Sequence, residues 1–432
     1  NKRSRWIDEL LARPEYAEQW AHHWGEMLDI SLQYRTPKKS APYLRWLRDE
    51  IQRDRPIDEL ARDIVKGREI FTDEGPLGFY LGGQEGPDLA SRVARVFLAL
   101  RLDCAQCHPH PHARVSIDDW HGWVALFAQI RRGQVVLDNK KLDVVRIDPF
   151  REWLHPVPRM PMKPRFPDGA TPDIKFGQDR RAFVAEWLTS PKNPYFARTM
   201  VNRMWARLMG RGLGEPLHAL NELPITANDE LLDVLAKELV TQRFDAKIIL
   251  RTIMNSRVYQ LGTETNKFNS KDEKYFSHAP RQFLPWHVHL DVLAQLLETP
   301  PGIEGKPKGT RAVQVLETPP FWGVISGPQR ISACEDGDDR ASASARVLHH
   351  INSDEVRKML ERPDNRIARV FKDKRSDREL LDELFLTAFA RPAEEKHHKN
   401  VAEHFAKAKN RRTAWEDVFW AIINTREFMT RP

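Results

Sequence analysis

The sequence predicts a mainly α fold in which two helical domains are joined by a short β-hairpin and a proline-rich linker. Three observations carry this. Apolar residues recur at three- and four-residue spacings in most segments, the period of a helix that buries one face. Among 432 residues proline is common (30) and glycine scarce (21), the balance of helices separated by proline-punctuated loops. β-Branched residues cluster in GQVVLDNKKLDVVRI (133–147), on both sides of Asp138–Asn139, as a hairpin requires.

The elements follow in order. Residues 1–33 place Trp6, Leu10 and Leu11, then Trp20, Trp24 and Leu28, at helical spacings, with a break near Pro14. YLRWLRDEIQ (43–52) and IDELARDIVKG (57–67) predict two short helices, the second stopped by Gly67. The glycine-rich stretch 74–88 has no strand before it and no helix spacing after it, so it is read as a plain loop rather than a phosphate cradle. ASRVARVFLALRL (90–102) predicts an apolar-faced helix. Ser116 and Asp119 form a capping-box pattern ahead of a helix over 119–130. The hairpin over 131–150 and the proline-rich stretch 155–173 give the domain boundary. The segments are a helical domain 1–135, a hairpin and linker 136–178, and a helical domain 179–432. In the last of these, helices are predicted over 179–190 and 193–213, with a glycine stop, and from Thr226 and Asp229 onward. A less regular region covers 261–330, and helices return in the tail at VRKMLERP, LLDELFLTAFARP and TAWEDVFWAIINTREFM. The 13 tryptophans mostly recur in helix-like segments, where core packing is the expectation.

Hydrophobic residues make up 41% and charged residues 30%, the composition of a folded globular chain. The net charge of +7 is spread among interspersed acids, with a local excess only at KAKNRR (407–412). No helix-turn-helix, zinc-finger or RNP pattern accompanies it, so no specific nucleic-acid partner is expected. No apolar run reaches the eighteen or so residues of a membrane helix. The first residue is Asn1 rather than Met, as cleavage of an export signal or trimming of the chain would leave it.

The chemistry concentrates in LDCAQCHPHPHARV (102–115). Two of three cysteines and three of sixteen histidines fall within nine residues. Cys104-x-x-Cys107-His108 is the attachment pattern of a c-type haem. Thiols three residues apart each add to one vinyl group of the porphyrin edge. The next residue, His108, is carried under the iron as proximal ligand. One covalent haem c is therefore the expected cofactor, held by Cys104 and Cys107. For the distal position His23 is the first candidate and His22 stands beside it, because QWAHHWGEML lies in a Trp-rich apolar helix. His110 is a weaker candidate, and Met27, His112 and His121 are further ones. A zinc site built from Cys104, Cys107 and two of His110, His112 and His121 is the main alternative. A second knuckle is missing, and adjacent Cys107 and His108 make a poor joint chelate. A redox dithiol would want a preceding strand and a βαβ frame, and neither is present.

Six separated segments carry a resemblance. They are RWIDELLARPEYAEQWAHHW, FLALRLDCAQCHPHP with DDWHGWVALFAQ, NPYFARTMVNRMWARLMGRGLGEP, DAKIILRTIMNSRVYQ, ACEDGDD and WAIINTREFM. Their succession resembles a pair of planctomycete domains of unknown function, a cytochrome-associated one followed by a planctomycete-specific one. The resemblance implies an exported protein, periplasmic or in the cell envelope, of a kind that often carries a separate cytochrome c domain upstream. It places the family's Cys-x-x-Cys-His on Cys104, Cys107 and His108, its following histidine on His110, and its His-Trp on His23 and Trp24. Where the family has an aromatic-Asp step, this chain has Pro111-His112-Ala113. Arg198, Asn202, Arg203 and Trp205 match the family's polar-aromatic helix, and the residues themselves suggest ties to neighbouring loops. Cys334 with Glu335, Asp336, Asp338 and Asp339 lacks calcium-loop spacing, and Asp339 is read as a helix cap.

The expected function is single-electron transfer by a c-type cytochrome-like protein in a cell-envelope or multi-haem assembly, with a redox protein or other cytochrome subunits as partners. The alternatives are a structural or interaction subunit and a zinc protein. No Ser-His-Asp order, H-E-x-x-H or paired carboxylate marks a stand-alone enzyme.

Overall fold

A computed structural model describes residues 2–28, 37–67, 75–76, 78–81, 86–137, 139–157, 159–222, 227–300, 303, 306–315, 347–348 and 350–431. The fold is mainly α, with two small antiparallel two-stranded sheets among the described residues. The described chain falls into two compact units, one up to Pro280 and one from Arg281 onward. This division lies elsewhere than the hairpin and proline-rich segment.

In the first unit, α1 (Lys2–Ala12) and α2 (Pro14–Met27) meet at Arg13, and Pro14 opens α2 where its missing N–H costs nothing. Ile7 and Leu11 of α1 are buried, but Trp6 and Leu10 face solvent, at 48% and 50% exposure, against the expectation of a core role. An eleven-residue helix buries one stripe, and these two residues lie off it. Helices α3 (Pro37–Gln52) and α4 (Ile57–Lys66) follow. Gly67 ends α4 at φ +57, and a Cβ there would meet the Tyr80 ring.

The predicted 90–102 helix is interrupted. α5 (Pro87–Val93) widens into a π-turn over Ala94–Leu98, and Ala99 takes a left-handed conformation (φ +48) that ends it. Only then does a 3-10 turn, Leu102–Ala105, begin. α6 (Ile117–Ala125) starts on the expected capping box. The Ser116 hydroxyl accepts from the Asp119 N–H, and the Asp119 carboxylate accepts from the Ser116 N–H. It stops short of the predicted end, because Ile130 opens β1 (Ile130–Leu137), which pairs with β2 (Lys140–Ile147) in the expected hairpin. Trp120 and Trp123 of α6 are fully buried, and Trp123 Nε1 donates to the Ala90 carbonyl at 2.9 Å. α7 (Arg180–Leu188), α8 (Phe196–Met209), α9 (Asp229–Thr241) and α10 (Ala246–Asn255) complete the unit, with α7 packed on α4 and α8 on α9 and α10. Gly210 ends α8 in the left-handed region, as the glycine stop implied. Thr226 lies outside the described residues.

The second unit holds α11 (Trp286–Leu297), inside the stretch expected to be irregular. Its core is completed by α12 (Asp354–Glu361), α13 (Arg366–Lys372), α14 (Asp377–Phe389), α15 (Glu395–Lys407) and α16 (Arg411–Ile423). Leu293, Leu297, Ile367, Leu381, Leu384, Trp415 and Phe419 are buried together. The last predicted helix breaks after Ile423, where Thr425 caps a separate turn, Arg426–Met429.

Candidate functional site: the turn from Cys104 to His112

The turn is aimed by its apolar residues. Leu102, Ala105 and Val115 are buried behind it, while Cys107 and His108 are exposed and Cys104 is half-buried. The Cys104 N–H donates to the Arg101 carbonyl at 3.2 Å and the Gln106 N–H to Asp103 at 3.1 Å, so the backbone between the thiols is a closed turn. Neither cysteine is in a disulfide. Burial, helped by the Asp103 charge, pushes the Cys104 thiol up, which keeps it protonated at neutral pH.

Two buried histidines clamp the turn. His110 Nδ1 accepts the N–H groups of His112 (3.1 Å) and Ala113 (2.8 Å). A nitrogen that accepts carries no proton, so the ring proton of neutral His110 is on Nε2. That atom faces the Glu222 carboxylate at 3.5 Å, with both side chains buried. Glu222 also accepts the Arg101 backbone N–H and, at 3.2 Å, both Nε and Nη2 of Arg101. Its carboxylate is thus met by the Arg101 guanidinium and by the backbone N–H at the turn's start, with the His110 ring beside it.

The second clamp is His121 on α6. Its Nδ1 accepts from Trp153 Nε1 at 2.9 Å, which leaves its proton on Nε2. Its ring lies against those of Trp153 and His155, and α6 itself packs against the Leu102–Ala105 turn. Burial, together with the His155 ring, pushes the His121 pKa down, so it stays neutral. His155 is held in turn by Asp118, at 3.1 Å.

His108 is different. Its Nδ1 lies 2.8 Å from the Pro109 carbonyl. A carbonyl only accepts, so Nδ1 bears the hydrogen and Nε2 carries the lone pair, on an exposed side chain. A backbone carbonyl fixing the tautomer of a ligating histidine is the usual outer-shell arrangement at a metal.

His22 is buried on α2 with Nε2 3.5 Å from Glu26. His23, Trp24 and Met27 line a cleft whose walls include no residue of 101–122. His112 is exposed. Asn202 on α8 exchanges two hydrogen bonds with Gly214, donating at 2.7 Å and accepting at 3.1 Å. Arg203 donates to the Arg95 carbonyl at 3.0 Å, Arg198 pairs with Asp229 at 3.4 Å, and Trp205 packs edge-on against Phe276. These residues tie the helix to its surroundings, as expected. Cys334, Glu335, Asp336, Asp338 and Asp339 lie outside the described residues. Sequence reasoning missed Arg101, Glu222, Trp153 and His155. Each is distant from the motif or unremarked in type, and only the buried charge of Glu222 signals its role once its place is known.

Residues 180–405, over half the chain, match the family model described as PSD1, protein of unknown function (DUF1553). The chain belongs to the PSD1 family. Residues 1–132, which contain the Cys turn, match a second model, PSCyt2, also a protein of unknown function (DUF1549), so the chain carries the planctomycete-type pair. The 136–178 segment falls within the interval 133–179 between the two matches. No curated protein and no solved structure matches the PSD1 chain.

Proposed function

We propose that the protein carries one covalent haem c on the Cys104–His108 turn and transfers single electrons to a protein partner in the cell envelope. The observation that supports this most is the state of His108. Its Nδ1 is engaged by Pro109, and its Nε2 is left with a lone pair on the outer face, beside two thiols outside any disulfide. These residues fit the group: Cys104 and Cys107 would hold it through thioethers, and His108 Nε2 would ligate its iron. When bound, a c-type haem supplies one-electron redox chemistry.

The remaining residues of the site favour this reading over a zinc centre. His110 has Nδ1 committed to two N–H donors and Nε2 aimed at Glu222, and His121 has Nδ1 committed to Trp153. Two of the three histidines that a zinc site would draw on therefore have other work. The clamps keep the turn rigid, so its exposed face meets a partner with little reorganisation. Export to the periplasm or envelope and membership of a larger assembly are part of the same proposal, since thioether attachment and a docked redox partner both call for them. Among the described residues no helix is long and apolar enough to cross a membrane.

The test is the absorption spectrum of purified protein, oxidised and then dithionite-reduced, with haem staining after denaturing electrophoresis. Sharp reduced bands and a surviving stain support the proposal. Colourless, stain-negative protein from cells that mature c-type cytochromes overturns it.

A further inference from the structure

Two phenylalanines of the first unit stand side by side in solvent. Phe150 and Phe176 are 81% and 75% exposed, with ring centroids 5.3 Å apart. Each is held at the tip of a closed turn. In residues 148–151 the Arg151 N–H donates to the Asp148 carbonyl at 3.1 Å, and the Asp148 carboxylate accepts the Phe150 N–H at 3.2 Å. Pro149 fills the second position of this turn, where its fixed φ is favoured. In residues 175–178 the Gln178 N–H donates to the Lys175 carbonyl at 3.1 Å, and Gly177 takes a left-handed φ of +84 directly after Phe176. Turn tips ordinarily carry glycine or small polar residues, so neither turn calls for a ring. The same segment also exposes Val157 and Met160.

The charge around the rings is positive. Residues 131–178 hold ten Lys and Arg against six Asp and Glu, so this segment supplies four of the chain's seven net positive charges. Lys175 precedes Phe176, and Arg146 lies at the end of β2 that leads into the Phe150 turn; both are exposed and have no ion pair among the described residues. Arg146 also stands directly opposite Arg131 across the hairpin, a like-charge arrangement that weakens a sheet. Asp148 lies 3.9 Å from Arg131 and offsets part of this. The other acids are mostly engaged: Glu152 pairs with Arg180 at 2.5 Å, and Asp168 accepts from Trp187 Nε1 and the Ala170 N–H. Asp173 is exposed with no partner among the described residues, against the two unpaired bases.

We propose that this corner of the first unit docks on a bilayer surface that carries anionic headgroups, the two rings entering the acyl boundary while Arg146 and Lys175 meet headgroup phosphates. Rings on turn tips enter a fluid apolar layer without a shape-matched pocket, and each basic residue near an anionic surface adds to the attraction. A protein partner would need a concave surface fitted over the tips, and Lys is depleted at such interfaces. The surface shares no residue with the Cys turn, and this inference stands or falls apart from the haem proposal.

The experiment is co-sedimentation of the whole protein with vesicles of phosphatidylcholine alone and of phosphatidylcholine with about 30% phosphatidylglycerol, at low and at high salt. The expected result is binding to the anionic vesicles that weakens as salt rises, and binding to the neutral vesicles about tenfold weaker. Phe150→Ser/Phe176→Ser and Arg146→Gln/Lys175→Gln each weaken binding to the anionic vesicles about tenfold. Lys407→Gln/Lys409→Gln removes two exposed positive charges from the second unit and leaves binding as it was, which separates this surface from attraction by net charge. Circular dichroism verifies that all three variants are folded, as changes at exposed positions should leave them. No binding to the anionic vesicles, binding unchanged in folded Phe150→Ser/Phe176→Ser, or an equal loss in the Lys407→Gln/Lys409→Gln control overturns the proposal.

Discussion

His110 and Glu222 face each other inside the first unit, Nε2 to Oε2 at 3.5 Å, with both side chains buried. Glu222 is therefore the far-sequence support of the Cys turn, because it also takes the backbone N–H that begins the turn at Arg101. Removing it takes the acceptor from the Arg101 backbone N–H and guanidinium and the carboxylate from beside the buried His110 ring. Glu222→Ala is expected to cost about 3 kcal/mol, the range for breaking one side of a buried ionic network. Chemical denaturation checks this. Glu222→Gln, which keeps an acceptor oxygen, should cost clearly less.

In haem-free protein made without cytochrome maturation, the two thiols should differ. Cys107 is exposed, whereas Cys104 is half-buried with its pKa pushed up by burial and by Asp103. Thiolate is the reactive form. Timed alkylation with iodoacetamide, read by mass spectrometry, should label Cys107 several-fold faster. Equal rates would mean that the turn is looser than described.

The second unit should be acid-sensitive. His289 is fully buried beside His350, and burial followed by the His350 ring pushes its pKa down from 6.5 to about 3. The unfolded chain binds this proton at the ordinary histidine pKa, while the folded unit refuses it. Stability is thus fully present above about pH 6.5 and falls as pH drops from there towards 3, by up to about 1.4 kcal/mol per unit. His289→Phe should flatten this slope in urea melts taken between pH 7 and 4.

Asn202 holds Gly214 through both a donor and an acceptor. Asn202→Ala leaves a buried N–H and carbonyl without their partner and should cost about 2 kcal/mol. Thermal melting checks it. Arg198, more exposed on the same helix, should matter less when changed to Ala.

The parts legible in the sequence are those that local chemistry decides. The Ser116–Asp119 box, the Gly210 stop, the Gly67 stop and the hairpin across 138–139 each depend on a few adjacent residues. The interruption at Ala94–Ala99 was not legible, because ARVFLALRL keeps a helical period while an alanine takes a left-handed conformation that its own side chain disfavours. α11 was hidden within a stretch rich in proline and polar residues. At the site, Cys104, Cys107 and His108 stand out by spacing. The distinction between His108 and His110 does not. It depends on Pro109, Glu222 and Arg101, and Glu222 is brought there only by tertiary packing.

The central claim is tested most directly on the peptide Leu102–Arg114, which trypsin releases by cutting after Arg101 and Arg114. The protein is exported in cells that mature c-type cytochromes, denatured, alkylated and digested. The account predicts a peptide that retains the haem mass, with both cysteines closed to alkylation, and loss of that mass in Cys104→Ser/Cys107→Ser. A peptide with two alkylated cysteines and no haem would contradict it.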